Sequence, residues 1–139
     1  MHMNENRHRL SFCFELTNYF PRSTLMPENN FLIIFMEVKL TKTNFEQEVL
    51  KSQIPVLVDF WADWCGPCHM MEPVLKQFGT EQEGKVKIGK LNVDEEPELA
   101  GQYQIRSIPN MKFFKNGAVV KEIIGVNPKS ALESALSQL

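Results

Sequence analysis

The sequence predicts an α/β domain built on a partly parallel sheet, and three observations carry that expectation. The run Val56-Leu57-Val58-Asp59-Phe60-Trp61 is apolar and β-branched enough to be a strand buried on both faces, as central strands of α/β domains are. From Met36 onward, strand-like stretches alternate with stretches of helical spacing, which calls for crossover helices and parallel pairing. Asn116-Gly117 between two strand-like runs marks a hairpin, because both central residues of a type I′ turn take positive φ, so antiparallel strands join at one side.

Along the chain, residues 1–35 stand apart from the rest. They contain no glycine, are broken by Pro21 and Pro27 and hold no sustained period, so they read as an N-terminal extension with little regular structure. Glu15 interrupts the first apolar patch and Phe31 to Phe35 ends without a cleavage pattern, unlike a secretory signal, while Glu5, Glu15 and Glu28 disfavour a transit peptide. The functional chain is expected to begin at Met36, with the preceding segment an upstream extension or a mis-set start.

Residues 36–139 give the order β-α-β-α-β-α-β-β-α. Thr43 with Glu46 forms a capping box ahead of Phe45, Val49 and Leu50, predicting a short helix from about Asn44 that Pro55 breaks. After the strand over 56–61, Met71, Val74, Leu75 and Phe78 fall at helical spacing, with a kink expected at Pro73 and an end region at Gly79 and Gly84. Val86 to Val93 is the next strand. Asp94 is expected to cap a turn or helix through Pro97, Leu99 and Tyr103, and Ile105 leads through Ile108-Pro109 to a strand over Met111 to Lys115. Ala118 to Ile124 returns from the hairpin, and Asn127-Pro128 opens a last helix with Ala131, Leu132, Ala135, Leu136 and Leu139 on one face.

Composition narrows the function. With 139 residues, 43% of them apolar, and a formal net charge of −2, the chain has room for one small domain with its own core and shows no basic stripe for nucleic acid. Its longest apolar run, Phe31 to Met36, is far short of the roughly 20 residues a membrane helix needs. Three cysteines are too few for a secreted disulfide framework, and two of them, Cys65 and Cys68, lie close together, which points to chemistry or metal binding rather than to a staple. Cys13 reads as an incidental thiol.

Trp64-Cys65-Gly66-Pro67-Cys68 falls between the buried strand and the following helix, where catalytic groups gather in such sheets. Cys65 should precede the first helical turn, where unpaired N–H groups and the helix dipole favour its thiolate, and Pro67 suits that turn because its missing N–H costs nothing there. Cys68, one step into the helix and more enclosed, should keep its proton better. That asymmetry predicts attack by Cys65 on a substrate disulfide and release of the mixed disulfide by Cys68. Asp59, a carboxylate inside a buried strand just ahead of the thiols, is a candidate base with its pKa raised by desolvation.

The segment Val58 to Cys68 resembles the thioredoxin active-site segment at nearly every position, and Pro73, Lys90 to Asp94, Ile105 to Pro109, Phe114 to Gly117 and Gly125 fall at that family's intervals. The resemblance implies a central mixed five-stranded sheet flanked by four helices in three α/β/α layers. It implies a cis-proline at Pro109 facing the cysteines, with Ile108 offering backbone hydrogen bonds to substrate. It further implies a buried Asp59–Lys90 pair handling the Cys68 proton, and a flat docking surface of Trp64, Gly66, Pro67, Ile108, Gly125 and Val126. The partners it implies are disulfide-containing target proteins and a thioredoxin reductase carrying FAD and NADPH, with no cofactor or metal on this chain, which would act as a cytoplasmic monomer. The Gly66-Pro67 dipeptide resembles reducing members.

Two positions depart from the family pattern. His69 stands where Lys or Arg is usual, and Asn110 follows Pro109 where Thr is common. Cys65 to His69 also matches the C-x-x-C-H haem-attachment spacing, but cysteines that directly follow a buried strand suit disulfide chemistry better. Zinc closure needs four ligands, and only Cys65, Cys68 and His69 are near one another in sequence. A binding module with incidental thiols is the non-enzymatic alternative. Met70 and Met71 are expected to pack the helix, Trp61 to support the site from beneath, and Glu95, Glu96 and Glu98 to form a solvated helix start.

Overall fold

Strand β2 (Val56–Trp61) organises the sheet, because hydrogen-bonded neighbours lie on both its edges and helices on both its faces. The computed structural model describes residues 36–139. The earlier expectations for the extension over 1–35, including Cys13, lie outside those residues. Alongside β2, the sheet holds β1 (Glu37–Lys39), β3 (Lys87–Asn92), β4 (Asn110–Lys115) and β5 (Ala118–Ile124), in the spatial order β1-β3-β2-β4-β5. β3 runs parallel to both β1 and β2, whereas β4 is antiparallel to β2 and β5 to β4. The result is the mixed five-stranded sheet that the alternating pattern and the hairpin signal require.

The period-2 alternation of a strand assigns β2 to two cores. Leu57 packs with Ile88, Met111 and Phe113 against helices α2 (Gly66–Glu81) and α4 (Lys129–Ser137), through Met71, Leu75, Phe78, Leu132 and Ala135. Val56, Val58 and Phe60 pack on the other face with Leu91 and Phe114 against Phe45, Val49 and Leu99 of helical segments α1 (Glu46–Leu50) and α3 (Pro97–Gln102) and their flanks. Phe45, Tyr103 and Phe114 form an aromatic cluster there, with ring centroids 5.2–5.8 Å apart. By the same alternation Asp59 projects with Leu57 toward the α2 face.

Two local expectations, the Thr43–Glu46 capping box and the Asp94 cap, are corrected. The Thr43–Glu46 capping box does not form: Thr43 Oγ1 is engaged with Thr41 Oγ1 at 2.8 Å, and Asn44 closes the loop instead by accepting from Thr41 N at 2.7 Å. α1 has no side-chain cap and winds as a π-turn, with Lys51 N donating to Glu46 O at 2.9 Å. α2 runs unbroken past Pro73 and ends at Glu81, within the end region expected between Gly79 and Gly84; Gly79 is buried in its last turn and Gly84 takes φ 76°. The turn before α3 is held by Asn92, whose Oδ1 accepts from Asp94 N and Glu95 N at 2.9 and 3.2 Å, because the Asp94 carboxylate is drawn to the Trp64 indole. The hairpin has the expected geometry, with φ of 53° at Asn116 and 80° at Gly117. Among the described residues no helix is long and apolar enough to cross a membrane.

β3 has no room for a side chain at Gly89, where a Cβ would meet Leu40 Cδ1 at 2.5 Å and Leu40 is itself buried. Gly89→Ala therefore overpacks the β1–β3 junction and should lower unfolding free energy by about 1–3 kcal/mol. Urea denaturation checks this, and truncating Leu40 in the same chain should remove most of the added cost of the alanine.

Candidate active site

β2 ends at Trp61, and the short link Ala62-Asp63-Trp64 carries the chain into the first turn of α2. Cys65 is the N-cap residue, with φ −86° and ψ 103°, and its Sγ accepts from Cys68 N at 3.2 Å. Pro67 occupies the first turn, where the proline's missing N–H would have had no helical partner. Cys65 and Cys68 are joined by a disulfide with their Cα atoms 5.3 Å apart. The expected difference in enclosure is small, since Cys65 is 4% and Cys68 2% exposed. The asymmetry between the two sulfurs comes instead from the helix end: Cys65 Sγ caps it and accepts from the Cys68 N–H, whereas Cys68 lies inside the first turn.

The chain returns to the cysteines at the start of β4. The Ile108–Pro109 peptide is cis, and Ile108 O lies 3.9 Å from Cys65 Sγ. Pro109 O accepts from Gly125 N at 2.8 Å, and Gly125 takes φ 84°, which turns the chain out of β5 beside the cysteine pair. Around this point the surface is apolar and exposed. Trp64 is 71% exposed, yet its indole is fixed by Nε1–H donation to Asp94 Oδ2 at 2.8 Å. Gly66, Pro67 and Val126 are exposed, and Ile108 and Gly125 half-buried. Ile124 and Met70 extend the exposed apolar surface, which corrects the expectation that Met70 packs within the helix; only Met71 does. Both signals lay in the sequence as helix and strand phase: Met70 is one step off the buried stripe, and Ile124 lies on an edge strand.

Asp59 is fully buried, and neither carboxyl oxygen has a hydrogen-bond partner. Burial pushes its pKa up to about 7; the Lys90 charge pulls the other way, while Glu37 and Glu72 push further up. The direct Asp59–Lys90 pair does not form. The two residues are register partners across β2 and β3, but the Lys90 ammonium turns to Glu72 Oε1 at 2.8 Å and lies over the Trp61 ring, 4.6 Å from its centroid. A cation gains more from a half-exposed carboxylate and an aromatic face than from a buried acid that is readily neutral. Trp61 thus supports the site, as expected, by carrying Lys90. Glu72 was not legible as a site residue, because its link to Lys90 spans two elements and no motif marks it. His69 lies beside it, its Nδ1 3.9 Å from Glu72 Oε2 and its Nε2 2.8 Å from Asp63 O. Asn110 is buried in β4 with Oδ1 unpartnered. Among the described residues no cluster of His, Cys, Asp and Glu is arranged to hold a metal ion.

Comparison with known proteins agrees with this geometry. Residues 36–138 match the thioredoxin family model. The chain is 49% identical over 100 residues to thioredoxin 1 of Nostoc sp., covering 72% of this chain and 94% of that protein. It is 51% identical over 98 residues to thioredoxin of Chlorobaculum thiosulfatiphilum, covering 70% and 91%, and 51% identical over 100 residues to thioredoxin of Alicyclobacillus acidocaldarius, covering 72% and 94%.

The buried acid makes a stability prediction. Because the pKa of Asp59 is raised from 3.8 to about 7 in the fold, its protonated form contributes stability that is full below about pH 4 and lost as pH rises through about 7. Above that window the ionised carboxylate costs about 4 kcal/mol. Asp59→Asn should match wild type near pH 4 and exceed it by about 2–4 kcal/mol at pH 8, read from urea unfolding of the oxidised protein. Parallel stability curves for the two proteins across that range would contradict it.

Proposed function

The chain belongs to the thioredoxin family and is a thiol–disulfide oxidoreductase that reduces disulfides in target proteins through Cys65 and Cys68, and from that premise we propose how its residues divide the work. The observation that carries the proposal is Cys65 at the helix N-cap with the Cys68 N–H on its sulfur. In the reduced protein the same N–H and the helix dipole stabilise a Cys65 thiolate. That thiolate attacks one sulfur of the target disulfide, forming the Cys65–target bond and expelling the other target sulfur as a thiolate that takes up a proton. Cys68 then gives its proton to Asp59, and its thiolate attacks Cys65 Sγ. The Cys65–Cys68 bond forms, the second target sulfur departs, and two electrons have passed to the target.

Asp59 suits the role of base because its pKa of about 7 leaves it able to take or release a proton at neutral pH. Lys90 acts on it through space rather than by contact. Trp64, Gly66, Pro67, Ile108, Gly125 and Val126 form the docking surface, with the cis Pro109 buried behind Ile108, and an extended target segment would pair with the backbone of Ile108. The exchange requires no group bound to this chain. A thioredoxin reductase would return the disulfide to the dithiol, with FAD and NADPH on that partner. We place the protein in the cytoplasm as a monomer, where such a reductase keeps dithiols reduced, and its working domain over 36–139.

Reduction of insulin disulfides with dithiothreitol as donor tests the division of labour. Wild type should turn over rapidly, and Cys65→Ser should fall to the uncatalysed background. Cys68→Ser should instead accumulate a mixed disulfide with the target, visible by intact mass under non-reducing conditions. Turnover retained by Cys65→Ser would overturn the assignment.

A further inference from the structure

The charged groups facing Asp59 come from three elements: Lys90 of β3, Glu37 of β1 and Glu72 of α2. Of these Lys90 alone opposes the proton on Asp59, and its position is set by few contacts. Its side chain lines a cavity of about 280 Å³ together with Glu37, Lys39, Trp61, Asp63, Asn92 and Glu95, which leaves the ammonium room to move. What holds it is Glu72 Oε1 at 2.8 Å and the face of Trp61. Glu72 is itself held ionised, since the hydrogen bond from Lys90 keeps its carboxyl below the usual range, with His69 adding in the same direction. His69 approaches the second carboxylate oxygen, at 3.9 Å, while its ring stands edge-on to Trp61 with centroids 6.2 Å apart. Lys90, Glu72, His69 and Trp61 therefore form one cluster at the edge of the buried acid.

We propose that Glu72 is a positioning residue for the resolving step: by anchoring the Lys90 ammonium beside Trp61, it keeps that charge from closing on Asp59 and so keeps Asp59 able to accept the Cys68 proton at neutral pH. The proposal rests on Asp59 serving as the base for Cys68. Two effects of Glu72 act with the same sign. Its own negative charge favours the protonated Asp59, and its grip on Lys90 limits the cation that favours the ionised form. Removing the carboxylate frees the Lys90 ammonium from α2, and the residue beside Lys90 on the neighbouring strand is its register partner Asp59. Asp59 then loses its proton at lower pH and becomes a weaker acceptor.

Carbon-detected NMR titration of the Asp59 carboxyl, run beside the pH profile of mixed-disulfide release, tests this. Glu72→Gln should lower the Asp59 midpoint by about one pH unit, with the release profile moving by the same amount. Glu81→Gln removes a charge from the same helix and an ion pair to Lys129 instead of Lys90, and should leave both unchanged. In a Lys90→Met chain the shift caused by Glu72→Gln should fall to less than half. An unmoved midpoint in Glu72→Gln, an equal shift from Glu81→Gln, or a shift undiminished by Lys90→Met would each overturn the positioning role. Separately, Asp59→Asn that releases the mixed disulfide as fast as wild type would overturn the underlying assignment of the base, whatever the titrations show.

Discussion

Burial of β2 on both faces and both edges is the constraint on which the rest of the structure depends. Residues 56–60 of this strand are exposed by 1% or less, so each side chain must satisfy a packed neighbourhood. Apolar positions do so through two separate cores, one beneath α2 and α4 and one beneath α1 and α3. Two sheets of contacts converge on a single strand, and its direction fixes where the chain emerges. It emerges into the N-terminus of α2, which places Cys65 on unpaired N–H groups without any further device.

The same constraint explains the chemistry of Asp59. A carboxyl in this strand has no route to water and no hydrogen-bond partner, so its charged form is costly and its proton affinity rises into the neutral range. Such an acid weakens the fold at neutral pH, and the weakness is tied to function, since a base of ordinary acidity would be too feeble to deprotonate a thiol. The nearby cation does not cancel the effect because it is engaged elsewhere. Lys90 finds a half-exposed carboxylate and an indole face within reach, and both are better partners for a hydrated ammonium than a buried carboxyl. Cys65 and Asp59 thus owe their reactivity to opposite environments: one at a polar helix end, the other in an apolar layer.

Much of this was legible from residue patterns. The alternation of strand-like and helical stretches, the run 56–61 and Asn116-Gly117 are local signals, and the sheet follows them. The cysteine pair and the acid ahead of it could also be read, because each is defined by its place relative to that buried run. What escaped depends on competition between side chains brought together only by folding. Thr43 has the right spacing for a capping box, but Thr41 takes its hydroxyl. Asp94 has the right type for a cap, but the Trp64 indole claims it, Asn92 holds the turn, and α3 starts with no side-chain cap. The family resemblance implied Lys90 on Asp59, and the strand register does oppose them, but register does not say where a long flexible side chain ends. Glu72 decides that, from a neighbouring helix.

The helix end, rather than enclosure, makes Cys65 the attacking sulfur and Cys68 the resolving one. The most direct test is alkylation of the fully reduced protein with less than one equivalent of iodoacetamide at pH 7, followed by peptide mapping. Label should fall on Cys65, with Cys68 almost untouched. Label shared equally between the two, or found first on Cys68, would contradict it.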